Sequence, residues 1–133
     1  IGSHPHVIQP MIYNKDGFVA YSLGNFVSNQ RKRYTDGGAI LNLSLTKVGN
    51  TTSISAANYL LTWVYTPNEN GRKEFYVLPA SYYEQDTDFF AGLNDYEAML
   101  LYLNDARKLY GKHNSGVVEK YYNSEAKTWN LRK

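Results

Sequence analysis

Apolar and polar residues alternate along the first 80 positions of the chain, which is typical of half-buried β-strands. Two apolar runs, residues 7–12 and 18–23, flank Asn14-Lys15-Asp16-Gly17, and the Asp-Gly step favours a tight hairpin turn. Further strands are predicted at residues 39–45, 54–66 and 74–78, and prolines end the last two. In the first of these, Leu41, Leu43 and Leu45 are expected on one face. The pattern therefore predicts an antiparallel β-meander.

The apolar spacing becomes helical after residue 93. One helical face would carry Tyr96, Met99, Leu100, Leu103, Ala106 and Tyr110. Asn94 with Glu97 three residues later predicts an N-terminal cap, and Gly111 predicts the end of the helix. Residues 117–122 are expected to add a short helix, and Ser124 to Lys133 to fray. The predicted fold class is α+β, an antiparallel meander with a C-terminal helix.

Composition narrows the class of protein. Hydrophobic residues make up 43% and charged residues 20% of the chain, which indicates a globular sequence. The net charge of +2 is too small to favour nucleic-acid binding. The absence of cysteine excludes disulfides and thiolate metal sites. No apolar run approaches the roughly 18 residues of a transmembrane helix, so no transmembrane segment is predicted in this chain.

The clearest candidate chemistry is a pair of histidines near the start, His4-Pro5-His6. Pro5 disfavours helix and favours extended backbone in the residue before it. In extended backbone, residues two apart project to the same side, so both imidazoles could face one cavity. Neutral imidazole is a common ligand of transition metals. The alternative is a pair of surface or hydrogen-bonded histidines without a metal.

Two motifs in order carry a family resemblance, Gly2-Ser3-His4-Pro5-His6-Val7-Ile8-Gln9-Pro10 and Ser22-Leu23-Gly24-Asn25-Phe26. They resemble the C-terminal region of the CapA family, bacterial proteins of capsule and poly-gamma-glutamate synthesis. That family is similar to the calcineurin-type metallophosphoesterases, whose Gly-His-x-His loop ligates one metal with each histidine. The resemblance implies that the fold is the distal lobe of a metallophosphatase-like αββα sandwich. It also implies that His4 and His6 bind divalent metal ions, such as Mn, Zn, Fe or Mg. Ser3 displaces the glycine of that loop by one position.

The resemblance further implies that the chain is the C-terminal part of a longer protein. The family's other ligand motifs precede this point, so residues 1–123 would be the C-terminal lobe of a domain whose N-terminal part is absent. Residues 124–133 would be a tail. The expected partners are that N-terminal part and other capsule-synthesis subunits. The expected location is the bacterial cell envelope, reached through the upstream segment. Were a metal site complete here, Asp36, Asp86, Asp88 or His113 would have to supply the missing ligand.

Four further residues are candidates for substrate binding. A turn at Gly24 and Asn25 would return the chain toward His6, where the amide could bind a phosphate, although a purely structural turn is the alternative. Arg31 and Arg33 could hold a phosphorylated substrate or an anionic polymer, although a solvated basic loop is the alternative.

The function that the resemblance implies is metal-dependent hydrolysis or transfer at a phosphoryl or acyl centre during assembly of an anionic envelope polymer. The chain alone is expected to be inactive because it supplies only two ligands. The alternative is a non-enzymatic β domain that binds envelope polysaccharide or polyglutamate. The 13 tyrosines of the chain would suit such a domain, although tyrosines in strands more often pack in sheets.

Overall fold

Strands and one long helix make up the computed structural model, which describes residues 1–132. The strands are β1 Ile8–Asn14, β2 Gly17–Leu23, β3 Gly37–Val48, β4 Thr51–Tyr65, β5 Asn68–Glu69, β6 Arg72–Lys73, β7 Tyr76–Pro79, β8 Val118–Asn123 and β9 Thr128–Leu131. The helix α1 spans Leu93–His113, and 3-10 turns lie at Ala80–Tyr82 and Thr87–Phe89. The predicted α+β class is confirmed.

The first hairpin forms where the sequence predicts it. β1 and β2 pair in antiparallel register from Ile8 opposite Leu23 to Asn14 opposite Gly17. The Asn14 side-chain oxygen accepts a hydrogen bond of 2.8 Å from the Asp16 amide, which closes the turn. Gly17 adopts a φ of 141°, a conformation that favours glycine.

The larger sheet is built around β4. β3 runs antiparallel along one edge of β4, while β7 and β8 share the other edge, and β9 pairs with β8. β8 is parallel to β4, with Asn58 opposite Val118 and Tyr59 opposite Glu119. The sheet is therefore mixed, which corrects the expectation of a simple antiparallel meander. A parallel partner requires a long crossover, and α1 lies within that connection.

The predicted apolar face of β3 ends early. The pairing of β3 with β4 shifts register between Ser44 and Leu45. The extra residue is Ser55 of β4, so the alternation along β3 itself is kept. Leu41 and Leu43 are partly buried, whereas Leu45 is 66% exposed. Leu45 is exposed because residues 44–48 and 51–53 are exposed throughout, so this end of the hairpin lies outside the core.

Helix α1 packs against β1 and β4 and supplies the buried residues Met99, Tyr102, Leu103, Ala106 and Tyr110. Trp63 of β4 is 2% exposed in the same core. The predicted cap at Asn94 is wrong, because Gly92 holds the N-cap position without a side-chain hydrogen bond. The helix also continues past Gly111 and is capped at Asn114.

No helix among residues 1–132 has the length and apolar character needed to cross a membrane.

The segment after α1 is a hairpin, not the predicted short helix and frayed tail. Val117 and Glu119 are buried while Val118 and Lys120 are exposed, so burial follows the period of a strand. The edge of β4 offers hydrogen-bonding partners to this segment, which stabilise a strand. A short helix at the same place would be only marginally stable. β9 then pairs with β8 from Lys120 opposite Leu131 to Asn123 opposite Thr128. The helix is consequently not the C-terminal element.

Candidate functional site

The residues before β1 lie beside β2. The Gly2 amide donates to the Ala20 carbonyl at 2.9 Å, and the Leu23 amide donates to the Gly2 carbonyl at 2.9 Å. A Cβ atom at position 2 would lie 2.3 Å from the Tyr21 carbonyl oxygen. Only glycine therefore allows the chain to approach β2 this closely, and the approach sets where the histidine segment begins.

The histidine segment is a turn, which corrects the expectation of extended backbone. The His6 amide donates to the Ser3 carbonyl at 3.1 Å, and His6 has a φ of 58°. A left-handed conformation is uncommon outside glycine, although histidine is among the residues that adopt it more often. His4 and His6 are both exposed. The same-side argument from strand geometry does not apply to them, and their role as metal ligands stays a prediction.

The structure brings His6 and Asn25 into contact, as the hairpin return predicts. Nδ1 of His6 lies 2.8 Å from Oδ1 of Asn25. Asn25 is only 7% exposed, and its amide nitrogen donates to the Thr35 carbonyl at 2.7 Å and to Oε1 of Gln30 at 3.0 Å. Every group of this buried amide is therefore paired. Gln30 and Thr35 were not predicted as part of the site, because no local pattern marks the loop residues that fold back onto an amide.

Gly24 supplies the close approach that holds Asn25 in place. It has a φ of 73° and forms a bridge with Gly38, while the Asn25 amide donates to the Gly37 carbonyl at 3.2 Å. A Cβ atom on Gly24 would lie 2.9 Å from the Gly37 carbonyl oxygen. The Gly-Asn step thus joins β2 to the start of β3 and leaves the Asn25 side chain directed at His6.

An open cavity of about 670 Å³ borders this contact. Within residues 1–132 its lining includes His6, Gly24 and Asn25 but not His4. The rest of the lining is largely apolar and consists of Ile1, Ser3, Leu23, Phe26, Ala39, Ile40, Leu41 and Leu43. The side chain of Phe26 is 61% exposed beside it. An apolar surface with one polar contact at its edge can pack against protein or hold a ligand.

The described residues contain no cluster of three or more histidine, cysteine, aspartate or glutamate side chains that could hold a metal. Asp36, one of the candidate third ligands, accepts a hydrogen bond of 2.9 Å from the Trp63 indole inside the core. His113 instead lines a separate groove on α1. If His4 and His6 bind a metal, the remaining ligands would therefore have to come from outside residues 1–132.

Arg31 lies against the core rather than at the cavity. Its guanidinium donates to the Val64 carbonyl and, at 3.3 Å, to the Asp36 carbonyl. It also stacks over Trp63, 5.6 Å from the ring centre. Burial lowers the pKa of Arg31, against the opposing effect of Asp36. The arrangement anchors the loop between β2 and β3 to β4.

Arg33 binds α1. It forms a two-pronged ion pair with Asp105, at 2.9 Å and 3.0 Å, and the hydrogen bond to Asp105 raises the pKa of Arg33. This pair borders a second groove of about 520 Å³, whose lining also includes Tyr34, Lys108 and Lys112. The structure therefore separates the two predicted arginines from the cavity beside His6.

Comparison with known proteins concerns the same segment. The family model described as "Bacterial capsule synthesis protein PGA_cap" matches residues 1–30. No curated protein matches the chain, and no solved structure matches it. The matched residues include His4, His6, Gly24 and Asn25, so the match covers the cavity contact and not the arginines. The match supports a CapA-like capsule-synthesis family.

Proposed function

We propose that this chain is the C-terminal part of a capsule-synthesis protein with a metallophosphoesterase-like metal site. The chain, including the β8–β9 hairpin that extends past residue 123, would form the distal lobe of a metallophosphatase-like αββα sandwich in the bacterial cell envelope. The observation that carries the proposal is the contact of His6 with Asn25 at the edge of a cavity, inside the segment that matches the capsule-synthesis family.

The donor chemistry at His6 fits a divalent ion. Asn25 engages Nδ1, so the other ring nitrogen is available to a metal, and a ligating histidine commonly bonds a neighbour through its second nitrogen. His4 would supply the second imidazole. When bound, a divalent ion such as Mn, Zn, Fe or Mg supplies Lewis acidity toward a phosphoryl or acyl oxygen.

The remaining ligands would come from an N-terminal part of the same protein. The apolar cavity lining and the exposed side chains of Phe26 and Val27, 61% and 56% exposed, offer that part a surface to pack against. Packing there would bring its ligands next to His6 and exclude water from the site. An anionic polymer or a phosphorylated intermediate is the proposed substrate.

The test compares this chain with the longer protein that contains it. Calorimetric titration with Mn²⁺ or Zn²⁺ should give weak binding without defined stoichiometry for residues 1–133, and firm stoichiometric binding for the longer protein. His6→Ala and His4→Ala should abolish firm binding and hydrolysis of bis(p-nitrophenyl) phosphate. His113→Ala, at an exposed histidine on α1, is the matched control. Failure of the longer protein to bind metal would refute the metal site.

A non-enzymatic polymer-binding domain is the second candidate, and the groove on α1 favours it. Tyr34 is 52% exposed there, beside Lys108 and Lys112. Aromatic and cationic side chains together suit an anionic polymer. Polyglutamate should then bind residues 1–133 with an affinity that falls as salt rises, and the double replacement of Lys108 and Lys112 by Gln should remove most of that dependence. Equal binding by parent and variant would exclude this role for the groove.

A further inference from the structure

The orientation of the Asn25 side chain is determined by its neighbours. A backbone carbonyl oxygen only accepts hydrogen bonds, so the group facing Thr35 across 2.7 Å must be the Asn25 nitrogen. Gln30 presents its own oxygen to the same nitrogen at 3.0 Å. Rotating the amide by half a turn would oppose two oxygens at Thr35. The Asn25 oxygen therefore faces His6.

That orientation determines where the neutral His6 ring carries its proton. The Asn25 oxygen is an acceptor only, so Nδ1 of His6, at 2.8 Å, must be the donor. A neutral imidazole has one protonated nitrogen, so Nε2 then carries the lone pair. Free imidazole side chains in water favour the opposite tautomer, with the proton on Nε2. The environment of His6 thus reverses the ordinary preference.

We propose that Asn25 is a positioning residue that holds His6 as the Nδ1–H tautomer and directs the Nε2 lone pair outward. Three features hold Asn25 rigidly in this position. Its side chain is buried, its backbone amide donates to the Gly37 carbonyl, and the bridge between Gly24 and Gly38 fixes the preceding residue. The positive φ of His6 points the same way, because a strained conformation persists only where the surroundings determine it. That Nε2 then serves a metal rests on the proposed function.

Nitrogen-15 NMR of residues 1–133 tests the tautomer without any metal. Long-range nitrogen–proton correlation spectra, recorded where the imidazoles are neutral, report which ring nitrogen is protonated. We expect Nδ1–H for His6 and mainly Nε2–H for His4 and His113, which are exposed and serve as controls in the same spectrum. A His6 ring protonated on Nε2 would overturn the proposal, whatever the protein does with metal.

Two substitutions assign the cause. Asn25→Ala should return His6 to the Nε2–H form, whereas Gln30→Leu should leave it as Nδ1–H because the Thr35 carbonyl still orients the amide. An unchanged tautomer in folded Asn25→Ala would show that Asn25 is not responsible. If Asn25→Ala fails to fold, the spectra of Gln30→Leu and of the parent still test the proposal. Absence of Nδ1–H on His6 in either spectrum would contradict the proposed hydrogen bonds from Thr35 through Asn25 to His6.

The longer protein separates this inference from the proposed function. There, Asn25→Ala should weaken Mn²⁺ or Zn²⁺ binding about 10–100-fold, as loss of a residue that orients a ligand typically does. A metal-free longer protein with the Nδ1–H tautomer intact would refute the metal site and leave the positioning role standing. Metal binding unaffected by Asn25→Ala would refute the importance of positioning and leave the metal site standing.

Discussion

The hairpin of β1 and β2 and the hairpin of β8 and β9 have the same topology but are held to the molecule by different forces. The first buries the side chains of Met11 and Ala20, 0% and 2% exposed, against the core. The second buries Glu119, 2% exposed. One hairpin is therefore anchored mainly by apolar packing and the other by charge.

The charge of Glu119 is matched by two arginines. Its carboxylate accepts hydrogen bonds from Arg107 at 3.0 Å and from Arg132 at 2.8 Å. Arg107 also binds Glu84, at 2.6 Å and 2.9 Å. Burial would lower the pKa of Arg107, but the hydrogen bonds to Glu84 and Glu119 raise it overall. The network joins α1, the segment after β7, β8 and Arg132, which directly follows β9.

Removing the buried carboxylate should have the largest effect. We expect Glu119→Gln to lower the free energy of unfolding by about 3–5 kcal/mol, because two ion pairs are lost at a buried position and the new amide nitrogen would oppose guanidinium donors. Denaturant unfolding measures the loss, and hydrogen exchange should show it first in β8 and β9. Glu125→Gln, at an exposed position, is the control and should cost less than about 0.5 kcal/mol. Equal effects of the two variants would show that the network does not anchor the hairpin.

Truncating the apolar anchor of the first hairpin should cost somewhat less. Met11→Ala is expected to lose about 2–5 kcal/mol through lost burial and the cavity left behind. Backbone amide hydrogen exchange should become faster in β1 and β2, while exchange in β8 and β9 should change less. Tyr21→Ala changes a side chain that is 56% exposed on the same hairpin and should be nearly neutral. Fraying of both hairpins together in Met11→Ala would contradict independent anchoring.

Alkaline pH should weaken the junction of β4 with the second hairpin by a smaller amount. Burial raises the pKa of Tyr59, and the Glu119 carboxylate raises it further. Because the folded pKa exceeds the unfolded value of about 10, this contribution is complete below about pH 10 and is lost as pH rises through the folded pKa. Stability measured against pH should therefore decline above about pH 10. Tyr59→Phe should flatten the decline, and an unchanged slope would contradict the assignment.

The exposed ion pair of Arg33 with Asp105 should matter least. Its two-pronged geometry is good, but the Arg33 side chain is 56% exposed, so solvent screens the pair. A double-mutant cycle with Arg33→Gln and Asp105→Asn should give a weak coupling, well below the effect of Glu119→Gln. A coupling as large as the Glu119 effect would mean that exposure does not distinguish the two networks.

The same contrast explains which parts of the fold could be predicted. The first hairpin follows from the Asp-Gly turn and the alternation of residues around Met11, which are local signals. Burial of Trp63 follows equally from alternation along β4. The second hairpin could not be predicted, because its buried position is a glutamate that looks exposed until Arg107 and Arg132 are brought beside it. Pairing across long sequence separation leaves no periodic pattern.

The candidate site divides in the same way. The return of Asn25 to His6 could be predicted from the hairpin and the Gly-Asn step. The turn at His6 could not, because its positive φ depends on the hydrogen bond to Ser3 and on the neighbouring β2 strand. The hydrogen bonds from Arg31 to the carbonyls of Val64 and Asp36 could not be predicted either, because a basic run does not indicate which groups will accept its hydrogen bonds.

The parallel pairing of β8 with β4 also imposes an order on folding during synthesis. Arg107 leaves the ribosome before Glu119 and Arg132, so the ion network cannot close until residue 132 has been made. Until β8 has been made, the edge of β4 at Asn58 and Tyr59 lacks its parallel strand, and Tyr59 lacks that cover. Translation therefore passes through an interval in which a sheet edge is open to other chains, and chaperones or nearby nascent chains could reach it.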